Sequence, residues 1–236
     1  MRNFTNLSLL LPLALTSSLS FAAELTKPEK DPNDPTKVIT KIGLGYTEDL
    51  TISGSLALDA TRKLNAKTNF DASEWRLGGS WLFDFGIINF AVSRSEYDEG
   101  GYKNNYSLGT FLPLNVLGVD TGKWMVFPMA GFNHNTGETV TPTESDTLQD
   151  SIVMQQNTSN GGYLGAFTIR PINEHWTALA FAGGGMGSND YSNVWGGGGI
   201  SYKLNSQNSF NLFAFISDDN FGQINKVGFS YTYEFK

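Results

Sequence analysis

The chain has 236 residues, no cysteine, 26 glycines, 17% charged residues and a formal charge of −7. Disulfide staples and thiolate chemistry are excluded, and the acidic balance argues against nucleic acid as a partner, because phosphate repels it. Beyond the first twenty-odd residues no apolar run is long enough for a membrane helix, while a mean hydropathy of −0.22 fits a soluble protein and a transmembrane barrel equally, since half of each barrel strand faces water.

The first residues read MRNFTNLSLLLPLALTSSLSFAA. Arg2 supplies a positive start, Leu7–Leu15 a short apolar run, and Ser20-Phe21-Ala22 a small-x-small cleavage site. That order predicts a secretory signal peptide over 1–23. Residues 24–36, with three prolines among mixed charges, predict a flexible periplasmic leader. Asp31, Asn33 and Asp34 there lack the spacing of a calcium loop.

From residue 37 to 236 almost every segment reads as strand. Val38, Ile42, Leu44 and Tyr46 share one parity, and Ile52, Leu56 and Leu58 form a second run. The clearest internal strand is 74–85. Trp75, Leu77, Trp81, Phe83 and Phe85 alternate there with Glu74, Arg76, Ser80 and Asp84. Stretches 60–73, 97–104 and 134–160 read as long polar connections. Those near Phe85, Asn173 and Ser206 read as short turns. The glycine runs AGGGMG (182–187) and WGGGG (195–199) fall on consecutive strands. Sharp wall curvature is the preferred reason, and a widened lumen is the other. The chain closes on VGFSYTYEFK, in which Val227, Phe229, Tyr231, Tyr233 and Phe235 share one face over ten residues of unbroken alternation.

Signal peptide, alternating strands, sorted loops and an aromatic terminal strand together resemble Gram-negative outer-membrane β-barrel proteins. The resemblance implies an all-β, antiparallel up-and-down transmembrane barrel in the cell outer membrane. About ten strands are expected, with twelve or eight as alternatives, because residues 38–46 have no firm place in the count. It implies outer-membrane lipid as surroundings. It also implies the barrel-assembly machinery as a partner in biogenesis, which would read Phe229, Tyr231, Tyr233 and Phe235. Lys236 departs from that pattern by following the last aromatic.

Parity places Glu74, Arg76, Asp84, Lys203, Lys226 and Glu234 toward the lumen. Both signs are present, so no single-sign ring argues for ion selectivity. Two histidines about forty residues apart, His134 and His175, do not make a metal site, and no motif calls for a cofactor. His134 is a weak catalytic candidate. Outer-membrane lipases place a histidine near a serine at a barrel rim, but here Thr136 stands two residues on. The expected function is therefore non-enzymatic, either a narrow channel for small solutes or a structural, surface-interaction protein. An extracellular partner would meet the stretch 134–160. The other readings are a lipid hydrolase using His134 and a secreted soluble β-barrel or sandwich that binds a ligand.

Overall fold

The computed structural model describes residues 30–97, 100–142 and 152–236; the expected signal peptide lies outside them. Twelve antiparallel strands form one closed barrel. They are β1 (Lys41–Tyr46), β2 (Leu50–Ala57), β3 (Arg62–Asn69), β4 (Glu74–Phe83), β5 (Gly86–Glu96) and β6 (Gly101–Phe111). The second half comprises β7 (Met125–Pro142), β8 (Ile152–Pro171), β9 (Trp176–Gly187), β10 (Ser192–Lys203), β11 (Asn208–Asp219) and β12 (Gly222–Glu234). Each strand pairs with its neighbours in sequence, and β12 closes on β1 with Leu44 opposite Tyr231.

Twelve strands replace the ten expected. The region before Glu74 holds three strands rather than one. The overlooked strand is β3, RKLNAKTN. Its only large apolar residue is Leu64, so it reads as a loop by hydrophobic alternation. A strand whose inner face meets a polar lumen needs few apolar residues.

The expected sorting of loops also changes. Residues 134–160 are mostly strand: β7 and β8 run 18 and 20 residues and pair as far as Pro142 with Ile152. Residues 152–160 pair only with β7, because β8 meets β9 from Gly161 onward. At about 3.3 Å per residue this hairpin projects roughly 30 Å past its neighbour. Only its outer part, past the last β6 pair at Gly101–Thr139, stands clear of the barrel, while nearer the wall Asn135 and Ser159 are buried. Thr, Asn and Gln serve in both parts, as in the bond from Asn157 Nδ2 to Thr139 Oγ1 at 2.8 Å. Glu144, Asp146 and Asp150 lie outside the described residues. The longest connection at the opposite end, where residues 30–40 and Lys236 lie, is 112–124. The two ends are called here the hairpin end and the terminal end.

The barrel is inside-out by the standard of a soluble protein. Its outward positions carry Phe132 (75% exposed), Leu164 (70%), Met186 (78%) and Val227 (69%). Apolar side chains at that exposure run round the wall, far beyond the isolated patches water tolerates. The soluble binder is therefore the wrong reading of the alternation, because a soluble sandwich would turn this face inward. Aromatic rings collect toward the terminal end of the same face. Trp81, Phe83 and Phe85 stack at 5.6 and 5.4 Å, and Trp176 meets Tyr202 at 4.8 Å. Arg62 lies over Trp81 and Arg170 over Trp124, charged ends at the rim of an apolar belt.

The glycine runs have a more specific role than the two expected. Inward-facing rings lie flat along the wall, and glycines make the bed beneath them. A Cβ on Gly183 would stand 2.2 Å from Trp195 Cζ2, and one on Gly165 2.6 Å from Trp195 Cη2. Gly197 does the same for Phe181, and Gly109 and Gly131 for Tyr163. Trp195, on β10, therefore reaches across β9 to β8. Gly183→Ala should destabilise the refolded barrel by about 1–3 kcal/mol, the usual cost of overpacking, and shift the Trp195 emission. Gly162→Ala, whose Cβ would meet only Gly131 O at 3.5 Å, should change the unfolding free energy by less than about 1 kcal/mol and barely move the urea midpoint. Equal midpoints for the two variants would show that the ring does not rest on this bed.

Candidate functional site

The lumen is the candidate site, and it has two unlike walls. The wall of β8–β11 presents the flat rings of Tyr163, Phe167, Phe181, Trp195, Phe213 and Phe215. Phe181 lies 6.2 Å from Trp195 and 6.0 Å from Phe215. The wall of β1–β5 presents Ser53, Ser55, Asn65, Asn89 and Ser93 together with Lys41, Lys63, Lys67 and Arg76. The register is the reason. With Leu44, Ile52, Leu64 and Leu77 turned outward, every second residue on these strands must point in.

Ion pairs cross or close this space. Lys226 Nζ donates to Glu74 Oε1 at 2.6 Å. Those residues sit on β12 and β4, which are not neighbours in the barrel, so the contact runs through the interior. Lys37 Nζ donates to Glu234 Oε2 at 2.7 Å, with both side chains nearly buried. Lys103 on β6 pairs with Asp219 on β11 across the hairpin end. The same lysine donates to Tyr191 Oη at 2.9 Å and lies over the rings of Tyr191 and Phe221. The connection residue Tyr97 packs against Gly222. Burial first, and then the Asp219 carboxylate, push the Tyr97 and Tyr191 phenols well above their usual range, so both stay neutral in this seal.

The terminal end is closed by the chain itself. Residues 30–36, the described part of the expected leader, make two turns and cross the mouth. Thr177 Oγ1 on β9 donates to Asp31 Oδ2 at 2.6 Å. Lys63 Nζ on β3 donates to Pro35 O and Lys37 O at 3.2 and 2.7 Å. β3 and β9 stand on opposite sides of the barrel, so the segment spans it.

Of the residues expected at the lumen, Glu74, Arg76, Lys203, Lys226 and Glu234 lie at inward positions of β4, β10 and β12. Asp84 is exposed in the turn between β4 and β5, beyond the wall. Four inward cations escaped notice: Lys41, Lys63 and Lys67 lie on strands that were not placed, and Lys103 lies in a stretch that reads as a polar connection. The terminal-strand residues Phe229, Tyr231 and Tyr233 face outward. Tyr231 packs on Phe210 at 5.3 Å and its phenol donates to Asn208. Phe235 follows the strand, its N–H bonded to Thr40 O at 2.9 Å and its ring perpendicular to Tyr233.

His134 faces outward on β7. Its Nδ1 is 2.7 Å from Asn160 Oδ1, its register partner on β8, and its ring tilts against Tyr106. An apolar groove of about 730 Å³ beside it is lined by Phe90, Val92, Tyr106, Leu108 and Phe132. Among the described residues no cluster of three metal-ligating side chains occurs.

Two lumen cavities lie against the polar wall. One, of about 290 Å³, is lined by Lys41, Ser53, Asn65, Lys67, Arg76 and Asn89. The other, of about 300 Å³ toward the hairpin end, is lined by Glu74, Ser93, Phe213, Lys226 and again by Lys67 and Arg76. The two meet at Lys67 and Arg76.

The sequence matches no protein-family model and no curated protein. Among solved structures, the translocator domain of the autotransporter NalP from Neisseria meningitidis superposes with a TM-score of 0.50 at 14% identity, over 83% of this chain and 86% of that one. An outer-membrane channel from Pseudomonas putida F1 gives 0.48 at 11%, over 88% and 100%. The NanC porin gives 0.46 at 10%, over 84% and 99%. Closure, strand order and the outward apolar face give this chain the fold of an outer-membrane β-barrel.

Proposed function

We propose that the protein is a narrow outer-membrane channel for small polar solutes, held closed at both mouths in this structure. The observation that carries this reading is the pair of lumen cavities along the β1–β5 wall that share Lys67 and Arg76. A purely structural barrel has no need of unpaired cations around an interior space. The glycine beds keep the opposite rings against the wall, so the interior is lined rather than filled. Passage requires the segment 30–40 or the Lys103–Asp219 seal to move. On this reading Phe235 and the outward aromatics of β12 are what the assembly machinery recognises, and the projecting β7–β8 hairpin is the surface an extracellular partner meets. Reconstitution into planar bilayers tests the channel. Small, reproducible conductance steps are expected, enlarged in a variant lacking residues 30–36. A silent membrane for both proteins would leave a filled, structural barrel.

A second reading, a lipid hydrolase on the outer face, is favoured by one observation. Asn160 orients His134 beside an apolar groove wide enough for an acyl chain, and with Nδ1 as donor, Nε2 is free to act as a base toward the Thr136 hydroxyl. Phospholipid hydrolysis by the refolded protein, lost in His134→Ala, would establish it. No release of fatty acid by the native chain would remove it.

A further inference from the structure

The interior charge pattern is unusual in one place. Lys67 on β3 is the direct register partner of Arg76 on β4, and both point inward. Like charges directly opposed on one sheet face repel, and in a confined lumen the repulsion is screened less than at an open surface. Lys41 stands at the terminal side of the same cavity. Among the described residues none of the three has an ion pair or a side-chain hydrogen bond. The carboxylates that act electrostatically on Lys41 and Lys67 are Glu234 and Glu74. Lys37 already holds the first at 2.7 Å, and Lys226 the second at 2.6 Å. No acidic residue lines the 290 Å³ cavity.

The chain as a whole is acidic, at −7, yet this wall is basic. The expected mixed-sign lumen resolves once the pairs are drawn. Each inward acid is matched, and an excess of positive charge remains at one level of the wall. Placing cations without partners in such an interior is unfavourable unless something negative joins them. Arg76 offers a planar fork of donors and Lys67 a compact ammonium beside it, a combination that suits an oxyanion. The cavity volume corresponds to roughly ten water molecules, which sets the scale of the ligand.

We propose that Lys67 and Arg76, with Lys41 on the approach, form an anion site at the neck between the two lumen cavities. The ligand is a small solute bearing a carboxylate or phosphate group. This deepens the channel reading and rests on it for its role in transport: the neck is the selectivity-determining level, and it admits anions over cations. Ser53, Asn65 and Asn89 supply neutral hydrogen-bonding groups around the charge.

The test is calorimetric titration of the full chain refolded in detergent with succinate, inorganic phosphate and glucose, joined to bilayer recordings in a tenfold potassium chloride gradient. Saturable uptake of succinate or phosphate is expected, with none of glucose. Arg76→Gln and Lys67→Gln should each weaken it roughly tenfold or more, the order lost with one charge-assisted contact, while Arg76→Lys should retain most of it. Retained heat-modifiable gel mobility identifies the variants that fold, and with either glutamine variant folded the comparison is decisive. The reversal potential should favour chloride, less so in the glutamine variants. No saturable uptake of either anion, or uptake unchanged by Arg76→Gln and Lys67→Gln, would overturn the site. A silent bilayer with saturable uptake would overturn the channel reading and support the site. Conductance without anion preference or uptake would do the reverse.

Discussion

Hydrocarbon offers no partner to a backbone N–H or C=O, and each such group left unpaired in it costs several kcal/mol. The pairing of β1 with β12 is therefore the interaction on which the rest of this structure depends. It removes the two open edges that an eleven-pair sheet would expose. It also fixes parity around the ring. Once Leu44 lies opposite Tyr231 and Tyr46 opposite Phe229, a slip of one residue would turn an entire strand's apolar face inward. The outward belt, the inward polar wall and the opposition of Lys67 to Arg76 all follow from that single register.

The lumen then divides by chemistry. Glycines on β6–β10 let aromatic rings lie against their own wall, a close approach that only a residue without Cβ permits. The opposite wall keeps small hydroxyl and amide side chains, which leave room for long cationic ones. Ion pairs at Glu74, Asp219 and Glu234 use up the inward acids and at the same time brace the barrel: one crosses the interior, one closes the hairpin end, and one ties residue 37 to the last strand. The net result is a negative molecule with a locally positive interior, which no sum over composition reveals.

Much of this was legible from alternation alone. The strand 74–83 and the terminal strand 222–234 declare themselves because both faces carry a consistent message, large apolar outward and polar or small inward. β3 does not, since Lys63, Asn65 and Lys67 on its inner face are flanked by Arg62, Ala66 and Thr68 on the outer. With that strand went the strand count and two of the inward cations, Lys63 and Lys67, so a mixed-sign lumen was the natural conclusion. The hairpin of β7 and β8 was hidden for a related reason. Hydrophobic alternation marks a strand only where one face is dry, and here β8 runs nine residues past β9 with β7 as its sole strand neighbour. The role of the glycine runs was not legible at all, because Trp195 and Gly165 lie thirty residues and two strands apart, and only the closed register brings them together.

Closure in this register is the claim on which everything else rests, and a chain without native cysteine allows it to be measured directly. Two double variants suffice: Leu44→Cys with Tyr231→Cys, and Leu44→Cys with Ser230→Cys. Directly opposed residues place their Cα atoms about 4.5–5.5 Å apart, within disulfide range, whereas position 230 points to the other face. Under mild oxidation of the folded protein, the 44–231 pair should cross-link and run as a covalently closed ring after boiling, and the 44–230 pair should remain reduced. Equal cross-linking of both pairs, or of neither, would contradict the closed twelve-strand barrel and the parity derived from it.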